Sequence, residues 1–585
     1  MTKVLGINPG HHASVALSID GRVVFAINEE RLRQQKAFCG IPRMALDHCY
    51  ENYLARAEVD CFALNYRSSS GLLDLWQTMD SCESEGGPPR RLGAKDLAIR
   101  LVREVGCLTP PESLRKRLEY PLSRTMDLLR MYCARKLDVP WQKLALFDHH
   151  LCHARSASFS LSSERDWLVF TADGEGDLEC ATVYRKARGE PGLSKLTAIH
   201  RDHSLGFFFM LITKVLGMSP NLHEYKVMGL EPYARKNTNE YQRAFAKLSS
   251  LFYFEGRDFR ARIKMHSKQH LAWLYRELRD ERFDYVAAAA QKTLERVVLR
   301  WVGNWIRETG ICNVAVAGGV FMNVKLNQRL YDLQDITDIY VVPSAGDETT
   351  VLGACNQANL DATGNELVPL EHLYLGNECA EVRVREFVEK EVDQRRYDVR
   401  HLGDRIEERV AELLSEGTIV GRFAGRMEFG ARALGNRSIL AHPKHPGNVR
   451  KLNEMIKDRD FWMPFTPSVL EEDADRYIKN PRRMLAPYMA ITFDTTDEGK
   501  AQFIAAIHPY DETMRIQMVS REKNPRYHEL IRHFKERTGV GGLLNTSFNL
   551  HGRPIVCAPA DCLFTLENSG LTHLALDGYL VTKRL

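Results

Sequence analysis

Apolar and polar positions alternate from the first residues of the chain. Val4-Leu-Gly-Ile7 reads as a strand, Asn8-Pro-Gly10 as a turn and Ala13-Ser-Val-Ala-Leu-Ser-Ile19 as a second strand. Asp20-Gly21 then makes a hairpin turn, and Arg22-Val-Val-Phe-Ala-Ile27 returns. Residues 167–185 repeat the plan: Trp167-Leu-Val-Phe-Thr-Ala172 is extended, Asp173-Gly-Glu-Gly-Asp177 turns, and Cys180-Ala-Thr-Val-Tyr184 returns. Two such hairpins, with a mostly helical stretch between them, predict a duplicated α/β unit with a cleft between the copies. Glycine-rich turns at such a cleft expose backbone N–H groups able to bind phosphate.

Other stretches fill in the frame. Ser81–Lys95, polar and rich in Gly and Pro, predicts a loop, and helical patterns flank it around 96–136. His223-Glu-Tyr-Lys-Val-Met-Gly-Leu-Glu-Pro-Tyr233 groups polar residues beside Gly229 and Pro232, as a ligand contact or a helix end would. Residues 284–308 carry Val286, Ala290, Leu294, Val297, Trp301 and Trp305 at helical spacing, with the Trp side chains expected in the core. Asn313-Val-Ala-Val-Ala317 predicts a buried strand ending at Gly318-Gly319, where a nucleotide could approach the backbone. Asp338–Val342 predicts another short strand, leading to Asp347. From about 366 to 400 the pattern loosens into charged residues, which sets the expected domains at 1–370 and 390–585.

At 585 residues, the chain is too long for one core. A balance of 80 basic against 76 acidic residues, net +4, argues against nucleic acid or an anionic membrane as partner. Thirteen Cys without a CxxC pair suit a reducing cytosol. The N-terminus shows no secretory signal and no apolar run reaches a membrane-spanning length, so a cytoplasmic protein is expected.

The candidate chemistry begins at Phe147-Asp-His-His-Leu-Cys-His-Ala-Arg155. On a helix, His149 and His153 share one face with Cβ atoms roughly 5–6 Å apart, close enough for one metal ion. Gly-flanked acids at strand ends, Asp173 or Asp177 and Asp347 or Glu348, could complete a set for a divalent cation. A second concentration of chemistry is Gly421-Arg-Phe-Ala-Gly-Arg-Met-Glu-Phe-Gly-Ala-Arg-Ala-Leu-Gly-Asn-Arg-Ser438. Four Arg among Gly suit a compact oxyanion, since guanidinium forks bind phosphate bidentately. Lys457-Asp-Arg459 adds charge, Arg515 follows a presumed loop at His508–Met514, and Leu543-Leu-Asn-Thr-Ser-Phe-Asn549 is a strand ending in amides and hydroxyls.

Taken in order, the motifs resemble those of the O-carbamoyltransferases of nodulation-factor and antibiotic biosynthesis. They are Gly10-His-His-Ala-Ser14, Glu29-Glu-Arg-Leu32 with Lys36, His149-His-Leu-Cys-His-Ala154, Glu224-Tyr-Lys-Val-Met-Gly-Leu230, Gly318-Gly-Val-Phe-Met-Asn323, residues 425–438 and Asn545-Thr-Ser-Phe-Asn549. The resemblance implies an α/β protein with a duplicated actin-like N-terminal domain of RNase H-like halves and a YrdC-like C-terminal domain. It implies that carbamoyl phosphate and ATP give carbamoyl adenylate, and that the carbamoyl group then passes to a hydroxyl of a small natural product or sugar. It further implies Fe(II) or another divalent metal on His149, His153, Asp173 and Asp347, leaves room for Mg2+ with ATP, and admits a homodimer. By motif position, Arg432, Lys457, Arg515 and Asn545 would bind carbamoyl phosphate with Arg437 close by. Lys226, Gly318, Gly319 and Asn323 are the nucleotide candidates. His11 takes the place of the family's base, but His12 stands where Asp is usual, so the choice between the two imidazoles and their orienting partner stays open. Ala431 replaces a common Pro before Arg432. An actin-like-fold kinase, a tRNA threonylcarbamoyl-type transferase and a binding protein on the same scaffold are the competing readings.

Overall fold

The computed structural model describes residues 2–66, 127, 130–457 and 460–584. The loop expected at 81–95 lies outside the described residues, as do Asp458, Arg459 and most of the helical stretch expected at 96–136.

The two hairpins each seed a five-stranded sheet. In the first, β1 (Lys3–Asn8), β2 (Ser14–Ile19) and β3 (Arg22–Asn28) form an antiparallel meander. Two parallel strands, β4 (Cys61–Leu64) and β5 (Leu144–Leu146), extend it in the order β3-β2-β1-β4-β5. The second sheet contains β6 (Trp167–Gly176), β7 (Glu179–Lys186), β8 (Ser194–His200), β9 (Asn313–Ala317) and β10 (Asp338–Val341). Its order, β8-β7-β6-β9-β10, is the same plan repeated. The expected duplication is therefore present in the strand order itself. Apolar side chains on both faces, such as Val4, Leu5, Ile7, Val169 and Phe170, have no solvent exposure, as parallel and central strands require.

One turn differs from expectation. Asp173-Gly-Glu lies inside β6, where the register slips between Ala172 and Gly176, and the hairpin turns instead at Asp177-Leu178. Both of those residues have positive φ, 54° and 72°, the pair of left-handed conformations that a tight hairpin needs. The Gly-flanked Asp173 thus marks a bulge, which aims its side chain off the regular strand direction.

Three helices carry the architecture: α1 (His149–Ser158), α2 (Phe283–Thr309) and α3 (Thr350–Thr363). Trp301 and Trp305 of α2 are buried as expected, and both indole N–H groups donate to Asp258 Oδ1, at 3.1 and 3.0 Å. Helices α1 and α3 pack together, with α3 against β1 and α1 against β6. Their backbones touch: a Cβ on Gly353 would lie 1.7 Å from the Cys152 carbonyl oxygen. That contact brings the N-termini of both helices into the space between the two sheets.

The charged stretch at 366–400 contains a helix, Glu381–Glu391, so its polarity reflects a helix that buries only Val384 and Val388. The strand Tyr397–His401 then joins an eight-stranded sheet with Tyr579–Lys583, His573–Leu576, Val420–Phe423, Arg437–Ala441, Gly542–Ser547, Thr466–Leu470 and Gln517–Val519, in that order. The presumed loop at 508–514 ends in a short strand, Thr513–Met514, paired with Phe493–Asp494. Side chains tie this sheet to the first two: Asn327 donates to the Ala490 carbonyl at 2.7 Å and Arg31 to the Gly430 carbonyl at 2.8 Å.

Candidate functional site

Helix α1 begins under two carboxylates. Asp148 caps it by accepting from Leu151 N at 2.8 Å, and Asp177 accepts from His149 N at 2.8 Å. Negative charge at a helix N-terminus is favourable, so the hairpin end of β6–β7 fixes where the first histidine sits. Gly176 packs flat on the His149 ring: a Cβ there would be 2.1 Å from its Cδ2. Asp177 is thereby occupied in positioning the helix, and Asp173 is the acid that reaches the imidazoles.

The four side chains expected to hold a metal converge. Their ligand atoms all lie within 4.8 Å of one another. His153 Nε2 is 3.1 Å from His149 Nε2, 3.0 Å from Asp173 Oδ2 and 3.4 Å from Asp347 Oδ1. His149 Nε2 is 3.6 Å from each of the two carboxylates. Metal–ligand bonds of about 2.1 Å around a tetrahedral cation put ligand atoms about 3.4 Å apart, the spacing observed. The protein alone satisfies this set poorly. One proton shared between the two Nε2 atoms would satisfy that contact at 3.1 Å, but Nδ1 of each buried ring has no hydrogen-bond partner. The residues fit a divalent cation. Burial works against charge on His153, but hydrogen bonds to Asp173 and Asp347 outweigh it and push the imidazole up to about 9 in the metal-free site. His150, between them, is a core residue: burial and then the neighbouring His149 and His153 lower it to about 3, and its Nδ1 meets Thr171 Oγ1 at 2.8 Å.

Asp347 opens a single 3-10 turn, Asp347–Thr349, leading into α3. Its carbonyl accepts from Asn8 Nδ2 at 3.2 Å, and the same amide group donates to the His11 carbonyl at 2.8 Å. Asn65 braces Asn8 from behind, at 3.1 Å from its Oδ1. This buried amide pair ties the turn bearing His11 and His12 to the loop bearing Asp347. His11 is exposed, whereas His12, with φ 53°, turns its Nδ1 to within 3.7 Å of Glu348 Oε2. Glu348 is 1 % exposed and accepts the Ser344 hydroxyl on its other oxygen, and it is not one of the four converging side chains. Burial raises its carboxyl above the ordinary range, opposed by the charge of His12.

The nucleotide candidates fall into two groups. Gly318, with φ 97°, and Gly319 sit against the bulge: a Cβ on Gly319 would be 2.8 Å from Asp173 Oδ1. Asn323 is occupied structurally, capping Leu326 N at 3.0 Å and exchanging two hydrogen bonds with Gln291. Lys226 pairs with Asp460 at 2.8 Å, across the junction between the two parts of the chain.

The arginine-rich segment separates scaffold from surface. Arg437 is fully buried, stacked 3.6 Å over Phe423, and donates to the carbonyls of Ala424, Asn436, Asn377 and Gly425. That guanidinium braces the loop through both terminal nitrogens, while its buried Nε has no hydrogen-bond partner. Arg422 is buried likewise, on Gly435, Asn436 and Glu407. Arg432 is half-buried at the loop's tip. Asn545 reaches that tip through Ala433 O at 3.2 Å, joins Ser468 and Gln517, and keeps a buried Oδ1 without a partner. Lys457 donates to the Ser547 and Asn549 carbonyls, and Arg515 lies two residues from Gln517. Of these four only Asn545 lies on a strand; Lys457 ends the helical turn Asn453–Lys457, and Arg432 and Arg515 stand on loops.

Two family models match the chain: the carbamoyltransferase N-terminus over residues 113–356 and the carbamoyltransferase C-terminus over 411–583. A nodulation protein, NolNO, of Sinorhizobium fredii is 31% identical over 98% of this chain and 79% of its own length. The chain belongs to the carbamoyltransferase family. An uncharacterized protein of Methanocaldococcus jannaschii is 32% identical over 76% of the chain and 74% of its own length. The 3'-hydroxymethylcephem-O-carbamoyltransferase of Amycolatopsis lactamdurans is 29% identical over 45% of the chain and 47% of its own length. The protein is accordingly an enzyme, a carbamoyltransferase. Full-length HypF in its phosphate- and nucleotide-bound form aligns with a TM-score of 0.33 at 14% identity, over 62% of this chain and 47% of that one, too slight a likeness to build on. No helix among the described residues is long and apolar enough to cross a membrane.

Several working residues of this carbamoyltransferase escaped the sequence reading. Glu428 accepts from the backbone N–H groups of Leu434, Asn436 and Arg437, shaping the loop from within. Ser344, at φ 56°, donates to Glu348 and accepts from Ala431 N at 2.8 Å, so it joins the Asp347 loop to the Arg432 loop. The signal for Glu428 was its isolation among four arginines; Ser344 left none.

Proposed function

We propose that this carbamoyltransferase converts carbamoyl phosphate, ATP and water into carbamoyl adenylate with release of phosphate and pyrophosphate, then carries the carbamoyl group to the hydroxyl of a small acceptor, releasing AMP. The observation that supports this best is the metal-fitting quartet, whose Asp347 lies on a loop that Ser344 joins to the arginine loop by accepting from Ala431 N. In this reading Arg432, Lys457, Arg515 and Asn545 hold carbamoyl phosphate, whose dianion needs cationic donors. The eight-stranded sheet is the YrdC-like domain, and the duplicated sheets form the actin-like one. Gly318 and Gly319 keep the β9 end open for the nucleotide, with Lys226 at its edge. His149, His153, Asp173 and Asp347 would hold Fe(II) or another divalent cation, which supplies Lewis acidity at the carbamoyl carbonyl and offsets phosphate charge. An imidazole of the His11-His12 turn takes the acceptor's proton.

Purified protein with ATP, radiolabelled carbamoyl phosphate and a panel of hydroxylated acceptors tests the reading. AMP and pyrophosphate formed only with carbamoyl phosphate are expected. ADP formed without it would replace this reading with a kinase.

A further inference from the structure

We propose that Glu348 is the positioning residue for His12, and that His12, rather than His11, accepts the proton of the acceptor hydroxyl; the inference rests on the carbamoyl-transfer reading above. Three features of the structure carry it. Glu348 is buried, yet its Oε2 has no hydrogen-bond partner, while His12 Nδ1 stands 3.7 Å away. A buried carboxylate oxygen without a donor is costly, and a small rotation of His12 would satisfy it. The backbone that carries this imidazole is fixed, since His12 occupies a left-handed turn in which the carbonyls of His11 and His12 accept from Asn8. Finally, His11 is exposed, and no carboxylate among the described residues lies within ion-pairing distance of its ring.

The pairing fixes the tautomer. An Nδ1–H directed at Glu348 leaves Nε2 of His12 as the basic nitrogen. The acceptor oxygen then bonds to the carbamoyl carbon of carbamoyl adenylate, and the bond from that carbon to the phosphate oxygen breaks. AMP leaves with the electron pair, and the hydroxyl proton passes to His12 Nε2. The other Glu348 oxygen, on Ser344, couples this arrangement to the loop that bears Arg432. In this chain, then, an acid distant in sequence supports the imidazole that stands at position 12.

Two half-reactions separate positioning from scaffold. Incorporation of labelled pyrophosphate into ATP, dependent on carbamoyl phosphate, reads adenylate formation; AMP release with methanol as the acceptor reads transfer. Glu348→Gln keeps an oxygen for Ser344 but removes the carboxylate. It and His12→Ala are each expected to lower AMP release about tenfold or more, with pyrophosphate incorporation changed less than about threefold. The combined variant should fall no further than His12→Ala, and Glu348→Asp should recover part of the loss. Losses that multiply, equal damage to both half-reactions, or a larger effect of His11→Ala than of His12→Ala would overturn the proposal. A second measurement needs no turnover. Labelling by diethyl pyrocarbonate, read by mass spectrometry, should change severalfold at His12 and stay constant at His11 when wild type is compared with Glu348→Gln. Equal labelling at His12 would also overturn it. If that labelling differs while wild type forms no AMP, the pairing stands and the substrate reading fails.

Discussion

Two clusters of buried charge in this protein behave in opposite ways. Around Arg437 both terminal guanidinium nitrogens meet backbone carbonyls, only Nε being left without a partner, and the guanidinium stacks on Phe423. Around His153 the polar atoms converge on a common point, and the Nδ1 atoms of both histidines meet no protein acceptor. A buried charge held by its own chain supports the fold; buried ligand atoms aimed at each other leave room for something else. The contrast separates scaffold from site without reference to any relative.

Substitution at Arg437 should give the largest effect. Arg437→Ala would orphan several buried carbonyls and leave a cavity beside Phe423, costing about 3–5 kcal/mol in chemical denaturation, with metal content unchanged in whatever remains folded. A loss under about 1 kcal/mol would dissolve the comparison. At the other pole, His153→Ala should lower metal affinity by about 100-fold or more, read by metal analysis after dialysis, and should also lower the denaturation midpoint of metal-free protein below about pH 9, where the protonated imidazole pairs with Asp173 and Asp347. Arg432→Ala tests the rim between them: use of carbamoyl phosphate should weaken about ten- to hundredfold with metal retained.

Proton competition sharpens the comparison further. With burial opposing and the hydrogen bonds to Asp173 and Asp347 prevailing, the folded, metal-free protein holds His153 at about 9 against an ordinary 6.5. Stability from that pairing is complete below about pH 6.5 and fades as the pH rises through about 9. Metal binding runs the other way, since the cation must displace the proton. Apparent affinity should therefore climb between pH 7 and 9, by at most about tenfold per unit for this one proton, with proton release seen by calorimetry. The smallest effect belongs to Asp177→Ala, which removes a cap from α1 and should cost about 1 kcal/mol while the metal stays bound.

Much of this was legible along the chain. Alternation gave the meanders, the 3.6-residue rhythm gave α2, and the His-x-x-x-His spacing required only a helix to bring two imidazoles together. Reading stopped where meaning depended on a partner far away. Asp173 and Asp177 look alike in sequence; one became the acid at a bulge and the other a helix cap because the hairpin turned two residues later than its glycines suggested. Arg432 and Arg437 are likewise indistinguishable until the loop is folded around Glu428. Asn323 read as a nucleotide contact and proved to be a cap bonded to Gln291.

The order of residues determined which secondary elements form and which short-range pairs they present, since periodicity and turn chemistry act over a handful of positions. Tertiary structure decided which charges are satisfied internally and which face a shared space, as with Glu348 against His12 from 336 positions away. Local propensity has no information about that distance; the packing of α3 against β1, so close that a Cβ on Gly6 would lie 2.4 Å from the Val351 carbonyl oxygen, sets it.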